Sequence, residues 1–280
     1  MGHDPFVLVT GGGGQVARAL QPLIDGRFPT HHALDITDRL AVENAVRGAD
    51  VVVHLAAMTD VDECQRHPEH AHVVNAVGTR NVASAARAGR ARIIYLSTDY
   101  VFDGRKAGEY DESDPARPIN HYGRSKLDGE RHVNDLGRNL IVRTSWVYGE
   151  GRNFVRSILG AIGRGGPMRV VDDQRGRPTA AVDVARALVH LMRERVTGIV
   201  HVAGEGPPCT WADLADHVLA SAGTHGRVER IDSDAYRESA GKLVAPRPAN
   251  SALSLDRARR LDVPLRDWRS AVESYVKEQT

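Results

Sequence analysis

The sequence predicts an α/β fold, an open parallel sheet with helices on both faces and a smaller C-terminal lobe. Three observations carry that reading. Short apolar runs of strand length alternate with helical stretches from residue 6 to residue 204. The first run passes through four consecutive glycines straight into a helix. After Tyr148 the texture changes, and glycine and proline become dense.

The elements follow in order. Phe6–Thr10 reads as a strand, and a helix starts at about Gln15. A weak strand is expected near His31–Leu34. Asp35, Ile36, Thr37 and Asp38 then lead a helical stretch to Arg47. "VVVHLAA", Val51 to Ala57, is rich in β-branched residues and reads as a fully buried strand. His70–Ala88 presents an apolar helical face through Val73, Val74, Val77, Val82 and Ala85. Ile93–Ser97 is the next strand and Tyr122–Val133 the next helix. "NLIVRTSW" (Asn139–Trp146) and "GIVHVAG" (Gly198–Gly204) are later strands. Such an alternation is a Rossmann-type parallel sheet.

In the C-terminal part, Thr210 followed three residues on by Asp213 is a helix-capping pattern. "VAPRPANSALS" is too interrupted by proline for a central strand. The expected division is a dinucleotide-binding domain over residues 1–149, with a returning helix–strand segment near 180–203, and a substrate-binding lobe over 150–280.

A chain of 280 residues is long enough for a sizeable core. Its 37 Lys and Arg nearly cancel 36 Asp and Glu, which gives no reason to expect a nucleic acid or an anionic membrane as partner. The apolar runs are too short to span a bilayer. The N-terminus enters a strand directly and does not read as a secretory signal. Cys64 and Cys209 are too few for a disulfide framework or a metal cluster, so a reduced cytoplasm is the expected setting.

"VLVTGGGGQVARAL" places Gly11, Gly14 and Ala17 in a G-x-x-G-x-x-A spacing between strand and helix. Gly11 allows a tight turn, Gly14 lets backbone approach a diphosphate, and Ala17 keeps the helix near the sheet. The helix start offers unpaired N–H groups to phosphate. The acid expected on the adenosine ribose falls at Asp35 or Asp38, and neither announces NADH over NADPH. His31 and His32 read as solvated.

"RIIYLSTDYVFDG" runs an apolar strand into Ser97, Thr98 and Asp99. Such residues end strands and cap helices. They can equally carry reactive groups to the lip of a cleft. Further on, Tyr122 and Lys126 stand four apart, one turn from each other on a single helix face. On an ordinary helix this is a common surface pair, but it is also one that carbonyl reduction can use. Hydride addition leaves charge on oxygen, a tyrosine hydroxyl can supply the proton, and a neighbouring ammonium lowers that tyrosine's pKa. Thr98, at a strand end, can orient the carbonyl.

Glycine loop, S-T-D strand end and Y-x-x-x-K, in that order, resemble the extended short-chain dehydrogenase/reductase superfamily. "STDYVFDG", "NHYGRSKLDGE", "RTSWVYG", "DDQRGRPT" and "RPANSAL" narrow the resemblance to the dTDP-4-dehydrorhamnose reductase family, from Val7 to about Trp268. The resemblance implies reduction, by NADPH or NADH, of the C4 ketone of a dTDP-4-keto-6-deoxyhexose. It implies Tyr122 as proton donor, Lys126 as its modulator and ribose ligand, and Thr98 as the positioning hydroxyl. Asp99 and Trp146 would contact the sugar. Gly11, Gly14, Gln15 and Val16 would line the diphosphate, and Asp35 and Ile36 the adenosine. Ala57, Met58, Thr59 and Leu96 would line the cofactor cleft.

The chain also departs from the family pattern. His54 and Met58 replace the usual residues after the third strand, and His54 reads as a satisfied core histidine. Ala19 and Val182 stand where some relatives bind magnesium between subunits, so no metal is expected. A homodimer stays open. The segment from His225 to Pro246 matches poorly, which leaves the particular sugar open. Arg247 reads either as a diphosphate ligand, for which guanidinium is suited, or as a surface residue. Trp211 and Trp268 read as packing residues, and Asp173-Gln174 as a structural turn. Two other readings stand beside the reductase. One is a non-catalytic NADP-binding regulatory subunit resembling that of methionine adenosyltransferase, which need not keep Thr98, Tyr122 and Lys126 together. The other is a nucleotide-sugar dehydratase or epimerase; a dehydratase would need a second carboxylate where Tyr100 stands.

Overall fold

The structure is a computed structural model that describes residues 5–134, 137–162, 168–224, 226–241 and 243–279. Five strands form the central sheet: β1 Val7–Thr10, β2 Val51–His54, β3 Arg92–Thr98, β4 Leu140–Thr144 and β5 Gly198–His201. They lie side by side in that order, all parallel.

Period-2 alternation sends their side chains to two apolar layers, because successive residues of a strand face opposite sides. Val7, Val9, Val51, Val53, Ile94, Leu140 and Val142 face one layer, where helices α1 (Gln15–Leu20) and, later in the chain, Ala181–Arg193 pack. Leu8, Val52, Ile93, Tyr95 and Ile141 face the other, under α2 (Arg39–Val46) and α3 (Thr79–Gly89). The next helix, α4 (His121–Asn134), adds Val133 to that second layer. A further core is built around Trp268, Leu214 and Val272 from the helices Trp211–Ser221 and Trp268–Gln279. The Thr210–Asp213 capping box starts the first of these, as expected. Ala258 and Val263, late in the chain, pack back into the first layer of the sheet.

Two expectations are corrected. The weak strand near His31–Leu34 is absent. The chain pairs earlier, through a single parallel bridge of Arg27 to Leu8 on the free edge of β1. Pro29 then offers no N–H to extend a ladder, and the N–H groups of Ala33 and Leu34 turn back onto the Thr30 carbonyl. His31 and His32 are exposed. The second correction concerns His70–Ala88. Val82 and Ala85 are buried, but Val73 is 41% exposed. A π-helical turn over Val73–Gly78 adds a residue to the turn and rotates the apolar face.

From β1 the chain goes to one side, at Arg27, and returns on the other, at β2. That reversal makes a crevice at the carboxyl ends of β1 and β2, where open α/β sheets bind ligands. The glycine turn occupies it. Gly11 has φ +73°, a left-handed conformation that suits glycine. At Gly12 a Cβ would lie 2.1 Å from the Phe28 carbonyl oxygen, whereas at Gly13 nothing is nearer than 3.8 Å. Gly12→Ala is therefore expected to lower stability by about 1–3 kcal/mol, and Gly13→Ala by less than about 0.5 kcal/mol. Urea unfolding of both variants measures the difference; equal midpoints would show that the turn does not press on Phe28.

Candidate active site

Helix α4 starts where Asn120 turns its side chain to accept the Gly123 N–H at 2.8 Å, an N-cap bond. Two glycines then let α4 lie close to its neighbours. A Cβ at Gly123 would sit 2.0 Å from the Tyr100 carbonyl oxygen, and one at Gly129 would sit 2.5 Å from the Tyr95 hydroxyl. Close seating brings Tyr122 and Lys126 to the end of β3. The Tyr122 ring packs edge-on against Tyr100, just past Thr98, with centroids 6.1 Å apart. Lys126, 3% exposed, donates from Nζ to the Leu96 carbonyl at 2.8 Å and lies 4.1 Å above the Tyr95 ring. The three residues expected to act together are therefore assembled by one helix and one strand end.

The electrostatics differ from the expectation in one respect. Burial pushes the Tyr122 phenol above its ordinary value, and Asp99 adds to that, with the Thr98 hydroxyl acting against both. The Lys126 amine itself donates to the Leu96 carbonyl. Burial pulls Lys126 itself down to about 7, with the nearby Glu130 charge acting the other way. Asp99 is 2% exposed, accepts from Thr98 Oγ1 at 3.0 Å, and is pushed up to about 7 by burial. Its Oδ2 has no partner among the described residues.

The cofactor side is built at the sheet reversal. Gly14 caps α1 without a side-chain bond, so the first N–H groups of the helix have no side-chain acceptor. Gln15 beside it keeps a buried Oε1 with no partner among the described residues. An anionic diphosphate fits the free N–H groups at the start of α1, not the Gln15 oxygen. Val16 is buried behind them. Asp35 is exposed, and its Oδ1 accepts from the Thr37 amide and hydroxyl at 2.9 and 2.8 Å, which hold its carboxyl below the ordinary range. Ile36 instead turns into the core, where it meets Gly78. Ala57 and Met58 are partly exposed at the end of β2 and Thr59 is exposed.

Sequence reasoning missed Asn75. It is fully buried on the π turn, accepts the Met58 N–H at 2.8 Å and donates to the Met58 carbonyl at 3.0 Å and to Ser125 Oγ at 3.0 Å. Its signal was a lone amide among the valines of a helical face. His54 is fully buried as expected, bonded to Thr10 and Thr79 at 2.7 and 3.0 Å and pulled down to about 3 by burial.

On the substrate side, Trp146 has φ +47°, a rare conformation for a bulky residue and a mark of a strained position. One indole face stacks on Trp211 with centroids 3.6 Å apart. Trp211 is thus a packing residue whose partner is the expected sugar contact. Arg247 is paired with Asp62 at 3.0 Å and donates to the Ala245 carbonyl at 3.0 Å, so it is not a free surface arginine. Asp173 bonds the amide and hydroxyl of Ser233, tying the expected structural turn to the C-terminal lobe.

Residues 6–280 match the family model described as the RmlD substrate binding domain. The chain is 39% identical to a dTDP-4-keto-6-deoxy-D-glucose reductase of Streptomyces niveus, over 95% of this chain and 94% of that protein. It is 37% identical to a dTDP-4-dehydrorhamnose reductase of Mycolicibacterium smegmatis, over 96% and 84%. A solved dTDP-4-dehydrorhamnose reductase from Bacillus anthracis, in complex with NADP, superposes with a TM-score of 0.92 at 31% identity, covering 99% of this chain and all of that one.

The raised Asp99 carboxyl has a consequence for stability. A carboxyl held above its ordinary 3.8 contributes stability in full at low pH, and that contribution disappears as pH rises through about 7. Asp99→Asn is expected to remove this dependence. Relative to the parent it gains up to about 4 kcal/mol between roughly pH 4 and pH 8. Chemical denaturation at the two pH values measures the gain; a constant difference between the proteins would mean that Asp99 is ionised throughout.

Proposed function

This chain belongs to the RmlD substrate-binding domain family, and on that premise we propose that Tyr122, Lys126 and Thr98 carry an NAD(P)H-dependent reduction of the C4 ketone of a dTDP-4-keto-6-deoxyhexose. The observation that carries the assignment is the convergence of α4 on the end of β3, where buried Lys126 bonds the Leu96 carbonyl and Tyr122, one turn earlier, packs against Tyr100 beside Thr98.

When bound, the reduced nicotinamide supplies hydride to the carbonyl carbon. Tyr122 gives its proton to the C4 oxygen as charge develops there. Thr98 holds the phenol and the ketone oxygen in line, which is useful only if the reacting atoms are already in place. Lys126 holds the nicotinamide ribose hydroxyls and stabilises the phenolate left after transfer. The Gly11–Gly14 turn with Gln15 and Val16 takes the diphosphate of the cofactor, Asp35 and the Ile36 backbone the adenosine, and Ala57, Met58, Thr59 and Leu96 the cleft between. Asp99, Trp146 and Arg247 are assigned to the sugar nucleotide, with Arg247 sharing its guanidinium with Asp62.

The residue-level plan divides the chain into a cofactor domain over 1–149 with its returning segment near 180–203, and a substrate lobe over 150–280. The retained Tyr–Lys–Thr set favours turnover over a binding-only role. Tyr100 in place of a second acid disfavours the dehydratase reading. The proposed setting is the cytoplasm, where free thiols such as Cys64 and Cys209 persist. A homodimer is the proposed assembly, open to light scattering.

The direct test is oxidation of NADPH and of NADH against a panel of dTDP-4-keto sugars, with products identified by NMR. Tyr122→Phe is expected to lower kcat by about 10²–10⁴-fold while NADPH affinity stays within about twofold. A variant that turns over at the parent rate would remove Tyr122 as proton donor. Gly14→Val is expected to weaken NADPH binding by at least about tenfold, because its side chain enters the diphosphate path. Fluorescence titration reads this, and an unchanged Kd would remove the glycine turn from the cofactor site.

A further inference from the structure

Beneath the proposed catalytic residues lies a second, fully buried polar group. Ser97, Arg143 and His201 are register neighbours across β3, β4 and β5, one residue below the level of Thr98. Glu130 of α4 meets the first two. Its Oε1 accepts from Ser97 Oγ at 2.5 Å and from Arg143 Nε at 2.9 Å, and its Oε2 accepts from Arg143 Nη2 at 2.7 Å. Both partners of this bidentate pair are 4% exposed. Arg143 also lies 5.1 Å from the Phe102 ring.

A buried ion pair contributes little net stability, since desolvation offsets the attraction. Its position says what else it does. Glu130 follows Lys126 by four residues, so the two lie on one face of α4, one turn apart. The groups facing the Lys126 amine can be named. Glu130 comes from its own helix and the Tyr95 ring from β3. The Cys64 thiol comes from the helix Val61–Arg66, neutral and pushed up to about 12, and the neutral His54 from β2. Arg143 stands beyond Glu130. Among these described groups Glu130 carries the one fixed negative charge. Three hydrogen bonds fix its carboxylate in place, and both Ser97 and Arg143 are anchored in the sheet.

We infer that Glu130, clamped by Arg143 and Ser97, is a positioning residue that favours the ammonium form of the Lys126 amine for the reaction. The choice of lysine agrees with this. The chain has 33 arginines and four lysines, and only lysine can change charge near neutral pH. A carboxylate that the solvent cannot reach opposes the discharge that burial imposes on the amine.

The kinetic side of this inference rests on the ketoreductase reading, so the test includes a readout without turnover. The chain is labelled with ¹³C at the lysine ε carbon, and Lys126→Met assigns the Lys126 signal among four. Glu130→Gln keeps the shape and removes the charge. The double variant Glu130→Gln/Arg143→Gln leaves no buried guanidinium unpaired, and keeps the test available should the single variant misfold. The expected result in either variant is a Lys126 titration midpoint about one pH unit lower, with the basic limb of kcat/KM moved acidward by the same amount. A purely structural Glu130 would lower thermal stability and kcat at every pH, and leave both midpoints in place; that outcome overturns the inference. A shifted NMR midpoint in a chain with no turnover would count against the ketoreductase reading and leave Glu130's role standing.

Discussion

The site depends on how closely α4 lies on β3. Gly123 passes under the Tyr100 carbonyl and Gly129 under the Tyr95 hydroxyl, with no room for a methyl group at either point. From that seating, three helix positions at four-residue spacing reach the end of β3. Tyr122 packs against Tyr100 beside Thr98, Lys126 meets the Leu96 carbonyl, and Glu130 meets Ser97. A helix held one side chain further from the sheet would lose all three contacts at once. The chemistry assigned to the phenol, the amine and the hydroxyl is thus a consequence of packing.

A second constraint joins the cofactor crevice to the same helix. The Ala56 N–H donates to Thr10 Oγ1, which pairs with His54 Nδ1; His54 Nε2 pairs with Thr79 Oγ1, and Thr79 donates to the Asn75 carbonyl. Because the Thr79 hydrogen goes to Asn75, His54 must donate from Nε2 and accept at Nδ1. From Asn75 the chain continues to Met58 and, through Ser125, to the Tyr122 carbonyl. Each member has its partner, and a satisfied buried network of this kind holds a single arrangement. The glycine turn, the loop after β2 and the start of α4 are registered to one another by it.

Much of this was legible in the residues, and the reason is local. The alternation of strand-length apolar runs and helical stretches, the Thr210 capping box and the four-residue step from Tyr122 to Lys126 are properties of neighbouring residues. The missed features are of another kind. Nothing near His31 tells that Arg27 has already paired with Leu8, or that a π turn rotates Val73 outward. Asn75 gave one polar letter in an apolar face. Arg247 could be read as a free cation until the fold set Asp62 against it. The direction of the Lys126 ammonium also came from the fold, since the Leu96 carbonyl lies thirty residues earlier in the chain.

By itself the sequence determined the parallel α/β plan, the glycine turn after the first strand, the helix face bearing phenol and amine, and the family. These follow from periodicity, backbone freedom and capping, which act over a few residues. Tertiary structure alone decided which charges are paired and which are buried. It set Glu130 against Arg143 and Arg247 against Asp62, placed Trp146 on Trp211, and drew Asp99 and Lys126 out of water. The physical reason is that desolvation and ion pairing depend on what lies within a few ångströms in space, and those neighbours come from distant parts of the chain.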